Sequence, residues 1–132
     1  MNLIRAAAAI VLPCLLFAQT EKKAEPQYEM TTYVMGLLRK GPNFSTGSTE
    51  ENQKIQAGHM ANIQKMADVG KLIVAGPFTD NGDIRGIFIF KATIDEARAL
   101  AAADPAIQSG HLILELHPWF AAAGLKVNPP KN

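Results

Sequence analysis

Residues 71–91 read KLIVAGPFTDNGDIRGIFIFK, and this stretch decides the fold. Two apolar runs flank Asp80-Asn81-Gly82-Asp83. β-branched and aromatic residues fit a pleated surface, and Asn-Gly favours a turn with positive φ. The stretch predicts an antiparallel hairpin with strands at Lys71–Phe78 and Arg85–Lys91. Leu72-Ile73-Val74-Ala75 is expected as a buried run. Outward on either side lies the same helix-start signature, Ser48-x-x-Glu51 before the hairpin and Thr93-x-x-Glu96 after it. In such a box the hydroxyl accepts from the third helical amide, and the carboxylate accepts from the cap amide.

The first helix therefore starts at Ser48 and ends at Gly70, a C′ glycine. Ile55, His59, Ile63 and Met66 recur at helical spacing along it, with Ala67 and Gly70 beside them. The second helix offers Ala97, Leu100 and Ala101 inward and runs to about Ala103. Asp104-Pro105 opens a further turn, with Asp as cap and Pro in first position, and Gly110 closes it.

Two outer strands complete the pattern. Glu29–Arg39 has apolar residues in both alternating sets, Met30, Val34 and Leu38 against Tyr33, Met35 and Leu37, so both faces are expected to be covered. His111–Trp119 places Leu112, Leu114 and Leu116 on one face and Ile113, Glu115, His117 and Trp119 on the other. The order β-α-β-β-α-β is that of a ferredoxin-like α+β domain, a four-stranded antiparallel sheet with its helices on one face. The other face is also apolar. A second copy of the chain is its expected cover, which makes a homodimer.

The chain has 132 residues, enough for one domain. Met1–Arg5 is a short positive stretch and Ala6–Phe17 an apolar run of signal-peptide length, too short to span a bilayer. The expected organisation is a signal peptide over 1–18, a flexible linker over 19–27, the domain over 28–123 and a tail over 124–132. Retention of the leader as an anchor is the alternative. The product is expected to be secreted or periplasmic, with no membrane association once the leader is cut. The single cysteine, Cys14, falls inside the leader, so the mature chain has no thiol chemistry and no disulfide. Net charge is +1, from 13 basic and 12 acidic residues, without a basic stripe. Nucleic acid is therefore excluded as an expected partner.

Three fragments stand in order: Gly58-His59-Met60-Ala61-Asn62-Ile63, Ala75-Gly76-Pro77-Phe78 and Asp104-Pro105. Their order, with Pro118-Trp119 at the last strand end, resembles the YciI-like (YCII-related) family from about Tyr28 to Trp119. The resemblance implies a dimeric α+β barrel, two sheets back to back. It also implies a functional histidine and aspartate, here His59 and Asp104. An imidazole titrates near neutrality, and an aspartate on one ring nitrogen fixes the tautomer. Each residue also has a plain structural reading, His59 as a core side chain and Asp104 as a cap. One carboxylate can do both, capping with one oxygen and meeting the imidazole with the other.

Gly76 and Pro77 are candidate pocket-floor residues, and Arg85 a candidate for a ligand carboxylate or phenolate. A tight turn and a solvated edge are their structural alternatives. His111 and His117 on one strand are too far apart to chelate, since six residues span about 20 Å. No metal and no organic cofactor are expected. No nucleophile elbow, P-loop or Rossmann glycine pattern occurs. The expected function is acid–base chemistry, of lyase or isomerase type, on a small organic molecule. A non-catalytic module that binds a small molecule or a partner is the rival.

Overall fold

A computed structural model describes residues 27–127. The expected leader, most of the lead-in and the end of the tail lie outside the described residues. The elements are β1 (Met30–Lys40), α1 (Thr49–Asp68), β2 (Leu72–Pro77), β3 (Ile84–Phe90), α2 (Ile94–Ala101), α3 (Pro105–Gln108) and β4 (Leu112–Ala122). The sheet order is β2-β3-β1-β4 with every neighbour antiparallel, the ferredoxin-like arrangement. Among the described residues no helix is long and apolar enough to cross a membrane.

Both capping boxes form. Ser48 Oγ accepts from the Glu51 amide and Glu51 Oε2 from the Ser48 amide at 2.7 Å. Thr93 and Glu96 repeat the exchange, with the Thr93 amide 2.8 Å from Glu96 Oε2. At the end of α1, Gly70 takes φ +73°. Its amide reaches the Ala67 carbonyl and the Lys71 amide reaches that of Met66, which is the paired closure of a Schellman motif.

The core lies between the helices and one sheet face. Val34 and Leu38 of β1, Leu72 of β2, and Phe88 and Phe90 of β3 cluster there with Met66 of α1 and Ala97 of α2. Leu112, Leu114 and Leu116 of β4 pack against this cluster. Each large buried side chain contributes about 1.5–3 kcal/mol, and a helix cap about 1 kcal/mol. Helix-on-sheet packing therefore holds the fold, and the caps set where its helices begin.

The opposite face carries Tyr33, Met35 and Leu37 of β1 across from Trp119, His117 and Glu115 of β4. Ile87 and Ile89 of β3 share that face, as their registers with Leu37 and Met35 require. The Tyr33 and Trp119 rings sit 6.0 Å apart, and Tyr33 is buried. The Tyr33 hydroxyl accepts from the Leu125 amide, so the start of the expected tail is tied to the sheet.

Four local expectations are corrected. β2 is an edge strand, so of the expected buried run only Leu72 is buried, and Ala75 is exposed. α1 turns Asn62 inward and leaves Ala67 exposed. Asn62 points its amide at Met66 Sδ and at the Leu100 carbonyl of α2. Gly82 does not take positive φ. Its turn is closed by the Asp80 carboxylate, which accepts the Gly82 amide at 3.1 Å. β4 runs three residues past Trp119, because its pairing with β1 continues to Met30↔Ala122.

Candidate functional site

Residue 58 has no side chain, and this lets α1 sit directly on α3. A Cβ at Gly58 would lie 2.6 Å from Cγ of Pro105, the first residue of α3. The close approach sets His59 against Asp104, and Nδ1 lies 2.6 Å from Oδ2. The other oxygen, Oδ1, accepts the Ala106 amide at 2.9 Å and caps α3. One carboxylate thus serves both roles anticipated for it.

Asp104 is fully buried (0 %) and His59 nearly so at 8 %. An ionised carboxylate only accepts hydrogen bonds, so Nδ1 of His59 carries the proton and donates it. In the neutral ring Nε2 is then the acceptor. It has no protein partner among the described residues, and no buried side-chain nitrogen or oxygen among them is orphaned, so Nε2 keeps some exposure, on a side chain that lines a pocket. The Phe88 ring stacks on the imidazole with centroids 6.2 Å apart and fixes its plane. Phe90 meets Phe88 edge-on at 5.7 Å and holds it in turn.

His59 lines a pocket of about 350 Å³ between α1, the end of the β2–β3 hairpin and the loop after β1. That size lies at the lower end of small-molecule sites, at roughly 300–1,000 Å³. Gly76, Pro77 and Arg85 line the same pocket, and Asp104 stands behind His59 without lining it. The structure therefore brings the five sequence candidates to one place. A Cβ at Gly76 would meet nothing within 4 Å, whereas one at Gly86 across the hairpin would meet the Gly76 carbonyl oxygen at 2.7 Å.

Arg85 is held by its own turn. Nη1 donates to the carbonyls of Asp80 at 2.7 Å and Gly82 at 3.1 Å. Its guanidinium carbon stands 6.0 Å from the Phe44 ring, and Lys40 Nζ stands 5.4 Å from the same ring. Phe44 forms a pocket wall from the loop between β1 and α1. That loop is pinned by Asn43, which donates to the Ser109 carbonyl, and by His111. His111 Nε2 faces the Thr46 carbonyl and Asn52 Oδ1, both acceptors, and so carries the proton. Its Nδ1 lies 2.8 Å from the Ser109 hydroxyl, which also stands 3.3 Å from the Ala106 carbonyl.

Phe44, Phe88, Gly58 and Gly86 escaped sequence reading as site residues. Phe44 had no signal of its own, since its place depends on contacts distant in the chain. Phe88 read as one of several strand aromatics.

A second polar cluster lies on the other face of the sheet. Arg39 Nε meets Glu115 at 2.7 Å, Arg39 Nη1 meets Asp83 at 2.9 Å, and His117 Nε2 meets Glu115 at 2.6 Å. The Arg39 bond first, and the His117 bond next, hold the Glu115 carboxyl below the usual carboxylate range. His111 and His117 are thus engaged with different partners. Among the described residues no group of three or more His, Cys, Asp or Glu is placed to hold a metal ion.

A family model described as the YCII-related domain matches residues 32–119. No match was found among curated proteins. A similar solved structure is 5-chloro-2-hydroxyhydroquinone dehydrochlorinase from Burkholderia phenoliruptrix, in complex with 2,5-dihydroxybenzoquinone. It is 22% identical, with a TM-score of 0.48, and the match covers 67% of this chain and 93% of that one.

Proposed function

The chain belongs to the YCII-related domain family, and from that premise we propose that it binds a small organic molecule beside His59 and moves a proton on it. His59 Nε2 takes a proton from the ligand. It returns that proton to another ligand atom in an isomerisation, or gives it to the departing group in an elimination. Asp104 acts through His59 as a positioning residue, because it holds the proton on Nδ1 and the lone pair toward the pocket. The scheme uses no cofactor. The 2.6 Å contact between Nδ1 and Oδ2, at the wall of an open pocket, is the observation that carries this reading.

Two further parts of the proposal concern context. A second copy of the chain covers the apolar sheet face of Met35, Leu37 and Ile87, and the working form is a homodimer. The leader directs the protein out of the cytoplasm, to the periplasm or beyond. Mass spectrometry of the mature chain tests this, with Gln19 as the expected first residue.

Asp104→Asn tests the proton transfer. The Asn oxygen keeps the cap on Ala106, and its amide then faces Nδ1 as a donor. The ring is forced into the other tautomer, with its proton on Nε2, and the base is lost. Nitrogen NMR of labelled histidine should show the inversion, and turnover should fall by about 10²–10⁴-fold. An unchanged tautomer with unchanged turnover rejects the proposal. Saturable binding without turnover, across small acids, esters and hydroxylated aromatics, would leave the pocket as a binding module.

A further inference from the structure

We propose that the pocket takes a flat organic carboxylate and that the side edge of Arg85 holds its carboxylate group. The inference rests on the pocket reading above and names the chemical class of its ligand. The first observation is the sign of charge. Among the described residues Arg85 is the one lining residue with a permanent charge, and no carboxylate lines the pocket. Asp104 is sealed behind His59 with an oxygen on each of two partners. Among the described residues a ligand there meets a positive lining group and no negative one, although the Asp80 carboxylate stands 3.9 Å from Nη1 on the side of the turn.

The second observation is which edge of the guanidinium is unused. Both hydrogen bonds from Arg85 to its turn leave from Nη1. Among the described residues Nε and Nη2 make none, and neither is buried without a partner. The N–H groups on Nε and Nη2 point out in parallel along one edge, which is the fork that matches two carboxylate oxygens. A phenolate or an alcohol offers one oxygen and fills half of it. The Asp80 carboxylate comes no nearer than 3.9 Å, and to Nη1, so it does not occupy that edge. The turn has already fixed the side chain, which removes much of the ordering cost of binding.

The third observation is the wall. Phe44 and Phe88 present rings to the pocket, and Leu38, Met60 and Ile63 present aliphatic groups. An apolar wall beside a single cation suits a ring or conjugated chain that ends in an anion. It strengthens the ion pair by keeping water out.

Calorimetry on the intact protein at neutral pH tests the inference, with benzoate, benzamide and benzylamine as probes. Benzoate should bind saturably and more tightly than benzamide by about tenfold or more, as a charge-assisted bidentate pair requires. Benzylamine should bind more weakly than either. Arg85→Met should remove the preference for benzoate and leave benzamide binding in place. Arg85→Lys, which keeps the charge and loses the fork, should restore part of it. Persistence of benzamide binding in Arg85→Met shows that the pocket has survived the change. Equal binding of benzoate and benzamide, a preference that survives Arg85→Met, or no binding of any probe overturns the inference. His59→Asn separates the two readings. Arg85-dependent benzoate binding that persists in His59→Asn upholds this inference even where no ligand is turned over. Turnover of a ligand whose binding ignores Arg85 upholds the proton transfer and overturns this inference.

Discussion

Gly58→Ala should weaken both the fold and the His59–Asp104 contact, and the amount follows from one distance. The new methyl would stand 2.6 Å from Cγ of Pro105, against 3.4 Å for ordinary contact, a deficit of 0.8 Å. Pro105 directly follows Asp104, so displacing α3 by that amount carries the carboxylate with it. The Nδ1–Oδ2 separation would then grow from 2.6 Å toward 3.4 Å, past the limit of about 3.2 Å for a good N–H···O bond. Losing a hydrogen bond to a charged group costs about 1.5–3 kcal/mol, and alanine in place of helical glycine returns about 1 kcal/mol. If α3 instead stays in place, overpacking costs about 1–3 kcal/mol against the same return. The first route ends with a net loss of roughly 0.5–2 kcal/mol and the second with roughly 0–2 kcal/mol. Urea denaturation measures the loss, and the Nδ1 proton resonance of His59 reports which route is taken. We expect the resonance to broaden or vanish, since α3 is four residues long and yields more readily than α1. A variant as stable as the parent, with that resonance unchanged, would refute the argument that the bare Gly58 position holds the pair together.

Gly86→Ala should part β2 from β3, because its Cβ would meet the Gly76 carbonyl oxygen at 2.7 Å. A loss of about 1–3 kcal/mol is expected, with faster hydrogen exchange of the Phe78 amide, which bonds to the Arg85 carbonyl. Acid should unfold the protein partly through its capping boxes. The cap amides of Ser48 and Thr93 hold Glu51 and Glu96 below the ordinary value of 4.5. In the unfolded chain these groups bind protons first. Their contribution is complete above about 4.5 and is lost as pH falls through the lower folded values. Urea midpoints should therefore drop below that pH, and Glu51→Gln, which keeps an acceptor for the cap amide and removes the titrating group, should flatten the drop.

The sequence made the order of elements, both helix starts, the glycine closures at Gly70 and Gly110, and the pairing of His59 with Asp104 legible. These rest on local chemistry, or on fragments whose spacing a resemblance could carry. What it left hidden depends on neighbours distant in the chain. The apolar run Leu72–Ala75 reads as buried, yet the strand's place at the sheet edge leaves Ala75 exposed. Helical spacing admits Ala67 or Asn62 on the inner face, and the fold turns Asn62 inward, with its amide near Met66 Sδ and the Leu100 carbonyl. Asn81-Gly82 suggested positive φ, but the Asp80 carboxylate closes the turn without it. Phe44 sits in a loop with no periodic signal and reaches the pocket because Asn43 and His111 pin that loop to the start of β4.

The double engagement of Asp104 has a consequence for how mutations at this position are read. A change there removes the anchor of a helical turn in the same stroke as it breaks the contact with the imidazole. A mutational survey scored by protein abundance would record position 104 as intolerant and file it under folding. The proposed chemical duty would show only in replacements that spare the turn: asparagine, which keeps the shape of aspartate, and serine or threonine, which keep the cap alone.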